Sequence, residues 1–214
     1  MIESRFDPRR TRAVARGFRH ALVLGALALL AACAQPARVT QMVVPNEMAP
    51  VVAANPALQA SLAVGEVSGG KETDPLWTSQ VNNPEYKEAL EQSLQTNALL
   101  APAAAARNVV TVELIELKQP LMGFDLTVTP RVRYRVVERA SSAEVFNEEL
   151  TTPFTADFSS AAIAVERLRL ANEGAIRENI RAFLRRYAQS WIARTPGSTP
   201  TQPLPPALPP KPTS

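Results

Sequence analysis

Residues 124–136 read FDLTVTPRVRYRV and carry the strongest periodic signal in the chain. Phe124, Leu126, Val128, Pro130, Val132, Tyr134 and Val136 alternate with Asp125, Thr127, Thr129, Arg131, Arg133 and Arg135. Successive side chains of a strand point to opposite faces, so this period of two predicts a strand with one buried and one wet face. Pro130 cannot donate to a ladder and calls for a bulge or an edge position. Upstream, NVVTVELIELK over 108–118 predicts a strand apolar on both faces; downstream, a turn at Ala140–Ala143 leads to a further strand over 144–156. Those three strands make an antiparallel meander. A first strand is expected over 60–68 around Leu62, Val64 and Val67. Asn83 as cap and Pro84 at the first helical position open a helix ending near Leu100, with Tyr86, Ala89, Leu90 and Leu94 as its apolar stripe. A long helix follows over 160–192, where Gly174 is either a weak spot or a point of close packing. The fold class is therefore α+β in the order β-α-β-β-β-α, a two-layer sandwich with both helices on one face of the meander.

Composition narrows the function. The formal charge is +3 over 214 residues, which invites nucleic-acid binding. Residues 1–20 alone hold six arginines against Glu3 and Asp7, whereas from Cys33 onward 17 Lys and Arg face 18 Asp and Glu. The basicity belongs to the N-terminal leader, and no nucleic-acid partner is expected. The single histidine is His20 and the single cysteine is Cys33, so neither residue type occurs after Cys33. Ser-His-Asp and Cys-His catalysis lose their parts, and zinc, haem and iron–sulfur centres lose their usual ligands. The carboxylate pairs Glu113/Glu116 and Glu148/Glu149 fall in strand-like segments, where such groups sit on solvated faces. No catalytic residue, metal ligand or cofactor is assigned, and the chain is not expected to be an enzyme. Gly65–Glu72, GEVSGGKE, has the GxxxxGK spacing of a phosphate loop. Glu72 stands where the motif needs Ser or Thr, and Asp74-Pro75 blocks the helix that should follow, so it reads as a plain loop.

Residues 21–32, ALVLGALALLAA, follow the arginines without a charge. As a helix they would span about 18 Å, too short for the roughly 30 Å hydrocarbon core and right for the apolar part of an export signal. The stretch closes on Leu30-Ala31-Ala32-Cys33, which resembles the lipobox of bacterial lipoproteins. That resemblance covers residues 1–33. It implies cleavage between Ala32 and Cys33, diacylation of the Cys33 thiol, acylation such as palmitate on the new N-terminus, and attachment to a membrane through Cys33. Ala34 in place of Asp at the second lipoprotein position implies the periplasmic face of the outer membrane. The element order also resembles that of small periplasmic envelope-assembly lipoproteins, in architecture only.

The expected organisation is a signal peptide over 1–32, a flexible tether over 33–59 marked by Pro36, Pro45, Pro50 and Pro56, a single periplasmic domain over 60–192, and a disordered Pro-rich tail over 193–214. Residues 195–214 contain eight prolines and one charge, Lys211, as an extended polyproline-like run. Two features are candidates for binding. Arg131, Arg133 and Arg135 lie on one strand face about 6.8 Å apart, forming either a cationic stripe for phosphorylated lipid or a wet face paired with glutamates. Trp77 in the loop DPLW either anchors a partner or folds back onto the core. The expected function is a non-catalytic, membrane-anchored lipoprotein that serves an envelope protein complex as an assembly or scaffolding subunit. The alternative is a lipoprotein that binds lipid or glycolipid on the arginine face.

Overall fold

The computed structural model describes residues 34–74 and 78–194. Along the chain these form α1 (Val39–Met42), α2 (Ala49–Ala54), a 3-10 turn (Pro56–Leu58), β1 (Leu62–Ser68), α3 (Asn83–Thr96), β2 (Asn108–Lys118), β3 (Leu126–Glu138), β4 (Glu144–Thr151), β5 (Phe154–Ala156), a second 3-10 turn (Phe158–Ser160) and α4 (Ala164–Arg194). The sheet runs β1-β2-β3-β4, with β5 pairing β3 beside β4. β1 is parallel to β2 and the remaining pairings are antiparallel. This is the expected α+β order, with the parallel β1–β2 pair joined through α3.

The period-two reading of β3 holds from Leu126 onward. Val128, Val132, Tyr134 and Val136 are fully buried, and they face the helices together with Val110, Val112 and Leu114 of β2 and Phe146 of β4. Phe124 departs from expectation. It precedes the strand and is 78% exposed, because β3 begins only at Leu126. The segment expected as one strand over 144–156 is two, broken at Thr152-Pro153. Pro130 sits at that break. β5 pairs residues 126–128 and β4 pairs residues 131–137, so the missing N–H falls where β3 changes partners. β2 bulges opposite, between Leu114 and Glu116.

The cap of α3 is one residue earlier than the sequence suggests. The Asn82 side chain accepts from Glu85 N at 2.9 Å, and Glu85 Oε2 accepts from Asn82 N at 3.3 Å, a reciprocal capping box. Pro84 is then the second helical residue, where its absent N–H is still one of the unpaired four. Asn83 instead accepts from Gly70 N at 2.7 Å.

The largest correction concerns residues 34–59, expected as a flexible tether. They are packed on the domain: Met42, Val44 and Leu58 are fully buried, with Met48 at 1% exposure. The segment crosses the groove between α3 and α4 and adds a partial third layer over the helices. Polar side chains at the end of α3 hold its backbone. Ser93 Oγ accepts from Val44 N at 3.0 Å, and Asn97 Oδ1 accepts from Glu47 N and Met48 N, both at 2.9 Å. Small and proline-rich composition here marks irregular backbone without marking mobility. The packed unit therefore spans 34–194. The signal peptide, the cleavage site Ala32–Cys33, Trp77 and residues 195–214 of the Pro-rich tail lie outside the described residues, whereas residues 193 and 194, expected as the start of that tail, close α4. No helix among the described residues is long and apolar enough to cross a membrane.

Candidate functional site

Three sets of side chains could carry function: the outer face of the sheet, a polar chain in the core, and one end of the molecule. Arg131, Arg133 and Arg135 do share the outer face of β3, as their alternation requires. Cross-strand registers place glutamates beside them. Arg133 donates to Glu113 Oε2 at 2.8 Å and to Glu149; Arg131 lies 3.7 Å from Glu116 and 3.8 Å from Glu149; Arg135 pairs with Glu144. Hydrogen bonds from Arg135 and then Asn147 hold the Glu144 carboxyl below its usual range. Each arginine thus has a carboxylate partner on a solvated face, the geometry of a paired wet face. A stripe of uncommitted cations for phosphate is not what this arrangement supplies.

Inside the sandwich, Tyr86 of α3, Tyr134 of β3 and Asn179 of α4 form one buried chain. The two phenol oxygens are 2.6 Å apart, Tyr134 donates to Asn179 Oδ1 at 2.9 Å, and Asn179 Nδ2 donates to Leu150 O at 3.1 Å and Thr152 Oγ1 at 2.9 Å. Phe183 stacks on Tyr134 with centroids 4.3 Å apart. Burial pushes the Tyr86 and Tyr134 hydroxyls above their ordinary value, so both stay neutral phenols. Buried and fully paired, the three side chains have a structural role: each polar atom of the chain is matched. A second buried cluster ties the N-terminal segment to α4. Glu173, 1% exposed, accepts from Arg38 N at 2.9 Å and from Arg38 Nε at 3.0 Å, and this bond raises the Arg38 guanidinium further above its ordinary range.

The GxxxxGK string does not build a phosphate cradle. Gly65 and Ser68 belong to β1, Gly70 N is taken by Asn83, Glu72 accepts from Asn82 Nδ2 at 3.1 Å, and the next helix starts only at Asn83. Among the described residues no group of three His, Cys, Asp or Glu could hold a metal ion. A groove of about 520 Å³ between β4 and α4 is open to solvent, and its Arg181 and Arg185 are bonded to Glu47.

The end of the molecule where the β2–β3 connection meets the start of α4 is different in kind. Leu121 is 99% exposed and Met122 90%; Phe124, Phe158 and Ile163 also stand out in solvent. The Phe124 and Phe158 rings meet edge to face at 5.6 Å, Phe158 N donates to Asp125 Oδ1 at 2.9 Å, and the Arg167 guanidinium lies 4.9 Å from the Phe158 ring centre. Sequence reasoning missed this cluster. Its signal is the apolar run Leu121-Met122-Gly123-Phe124 directly after Pro120, with no partner period to bury it, but Phe124 also fits the alternation of the strand that follows.

No family model matches the sequence, and no curated protein does. Solved structures with a similar course of chain include a candidate lipoprotein from Caulobacter crescentus CB15, 14% identical over 68% of this chain and 99% of that one, with a TM-score of 0.48. A Xanthomonas campestris protein of the DUF330 family is 10% identical over 70% of this chain and 92% of that one, also with a TM-score of 0.48. A minor lipoprotein from Acinetobacter baumannii is 10% identical over 62% and 94%, with a TM-score of 0.41. Likeness at this level leaves the activity unassigned, and the functional reading rests on the chain's own residues.

Proposed function

We propose that the chain is a bacterial lipoprotein, acylated at Cys33, whose domain works without catalysis as an accessory or assembly subunit of an envelope complex on the periplasmic face of the outer membrane. The observation that carries this reading is Leu30-Ala31-Ala32-Cys33 at the end of an uncharged apolar run. Two further facts support it. The sequence after Cys33 has no His or Cys, and the buried Tyr86–Tyr134–Asn179 chain is spent on its own members, on Thr152 and on backbone. An acylated cysteine with two or three chains holds a protein stably at a bilayer without a spanning helix. Metabolic labelling with an alkyne palmitate analogue is expected to mark the native protein and to fail on Cys33→Ala; label retained by the variant would overturn the anchor. Cross-linking in cells, mild extraction and mass spectrometry should then recover a stoichiometric envelope protein. Purification alone, with only a glycolipid bound, would move the reading to a lipid carrier.

A further inference from the structure

We propose that the exposed apolar end is a membrane-docking tip: Leu121, Met122, Phe124 and Phe158 enter the interfacial layer of the same bilayer that holds acylated Cys33. The anchor in this statement rests on the lipoprotein reading above; the tip rests on the geometry. The large hydrophobic side chains exposed among the described residues are Leu121, Met122, Phe124, Phe158 and Ile163, and all five lie at this one end. Concentrated exposure of that kind marks a surface that something covers.

The course of the N-terminal segment says what covers it. Arg38, Gln41 and Glu47 meet Glu173, Arg177 and Arg181 in turn, so the segment climbs α4 in the helix's own direction. Followed backwards, it leads toward the start of α4, which is the apolar end. Ala34 and Ala37 are both buried. Ala37 N donates to Gln80 O at 3.4 Å, and Gln80 Nε2 donates at 3.1 Å to Gln119, two residues before Leu121. Cys33 directly precedes the buried Ala34 in the sequence, so on the lipoprotein reading the anchor is one residue from the packed segment. An anchor that close to the packed segment brings the apolar end within reach of the same bilayer, and a lipid surface is the occupant. The tip is also held in shape, by the Phe124–Phe158 contact and the Asp125 bond, so little side-chain order has to be gained on insertion. The opposite end, at the β3–β4 turn, is about 40 Å away along β3.

The test uses the native, full-length, acylated protein in phosphatidylethanolamine–phosphatidylglycerol vesicles. Met122→Cys carries an environment-sensitive fluorophore, and Ser141→Cys carries the same label as the distant control. The expected result is a blue-shifted emission at 122 that a quencher fixed in the acyl region reduces at least twofold, with neither effect at 141. Adding Leu121→Ser and Phe124→Ser should return emission at 122 to its value in water while leaving the melting temperature and the acyl mass at Cys33 unchanged. A label at 122 that stays in water while Cys33 is acylated overturns the tip. Shielding at 122 that the bilayer quencher does not reach means that a protein covers this end, and overturns it equally. A chain that takes two labels and lacks the acyl mass defeats the anchor instead, and mass spectrometry separates that failure from the other two.

Discussion

At Asn179 one amide joins three elements. It accepts from Tyr134 of β3 and donates to Leu150 O, both bonds buried, and to the half-buried Thr152. Removing it strands a phenol hydroxyl and a carbonyl away from water, and each such group costs about 1–3 kcal/mol. Asn179→Ala is therefore expected to lower stability by about 2–4 kcal/mol, read as a lower urea midpoint with an unchanged slope. The tyrosines offer a second prediction at this scale. All three in the chain, Tyr86, Tyr134 and Tyr187, are buried, and burial raises each hydroxyl above its ordinary value near 10. A raised value means the folded state holds the proton more tightly than the unfolded chain does. The stability this represents is complete below about pH 10 and is lost as pH rises beyond it. Tyrosinate absorbance should appear only together with loss of circular dichroism; ionisation in a still-folded protein would contradict the burial.

Gly174 shows how an element can be constrained by what packs on it. Helix propensity alone favours Ala over Gly by about 1 kcal/mol. A Cβ at 174 would meet Phe154 Cε1 at 2.2 Å, so β5 rests on the helix where that atom would stand. Gly174→Ala is expected to destabilise by about 1–3 kcal/mol despite the propensity, and most of that loss should vanish when Phe154 is replaced by Ala in the same chain. Of the two sequence readings of this glycine, close packing is the one realised. The wet strand face behaves in the opposite way. Arg131, Arg133 and Arg135 are solvated and paired, so exchanging all three for Gln should leave binding to anionic vesicles unchanged; a salt-dependent loss of binding would restore the cationic-stripe reading.

Across the whole molecule, the packed N-terminal segment changes what the domain is. Four side chains in it, Met42, Val44, Met48 and Leu58, are at most 1% exposed. Burying each contributes about 1.5–3 kcal/mol, together on the order of a whole domain's stability of 5–15 kcal/mol. A chain beginning at residue 60 should therefore fail to unfold cooperatively. In the full chain, the Val44 and Met48 amides should exchange as slowly as those of α3. Fast exchange there would return the segment to the role of a tether. The long axis is fixed by the same packing: α4 starts at the apolar end, and its final turns reach Trp191, 5.6 Å from the Arg107 guanidinium near the β3–β4 turn. The Pro-rich sequence thus follows from the end opposite the proposed tip.

By itself the sequence determined the main strands and helices after residue 60, their α+β order and the buried and wet faces of β3, because each is written in local periodicity. Strand and helix periods depend on neighbours two to four residues away. Three things were decided only in the tertiary structure. The segment over 34–59 has no period of its own, and it is ordered by Ser93 and Asn97, about 50 positions later in the chain. The arginines of β3 are neutralised by glutamates that only strand register brings opposite them. The apolar end assembles from the β2–β3 connection and the start of α4, more than 30 residues apart, where no local pattern says whether a Phe is buried or bare.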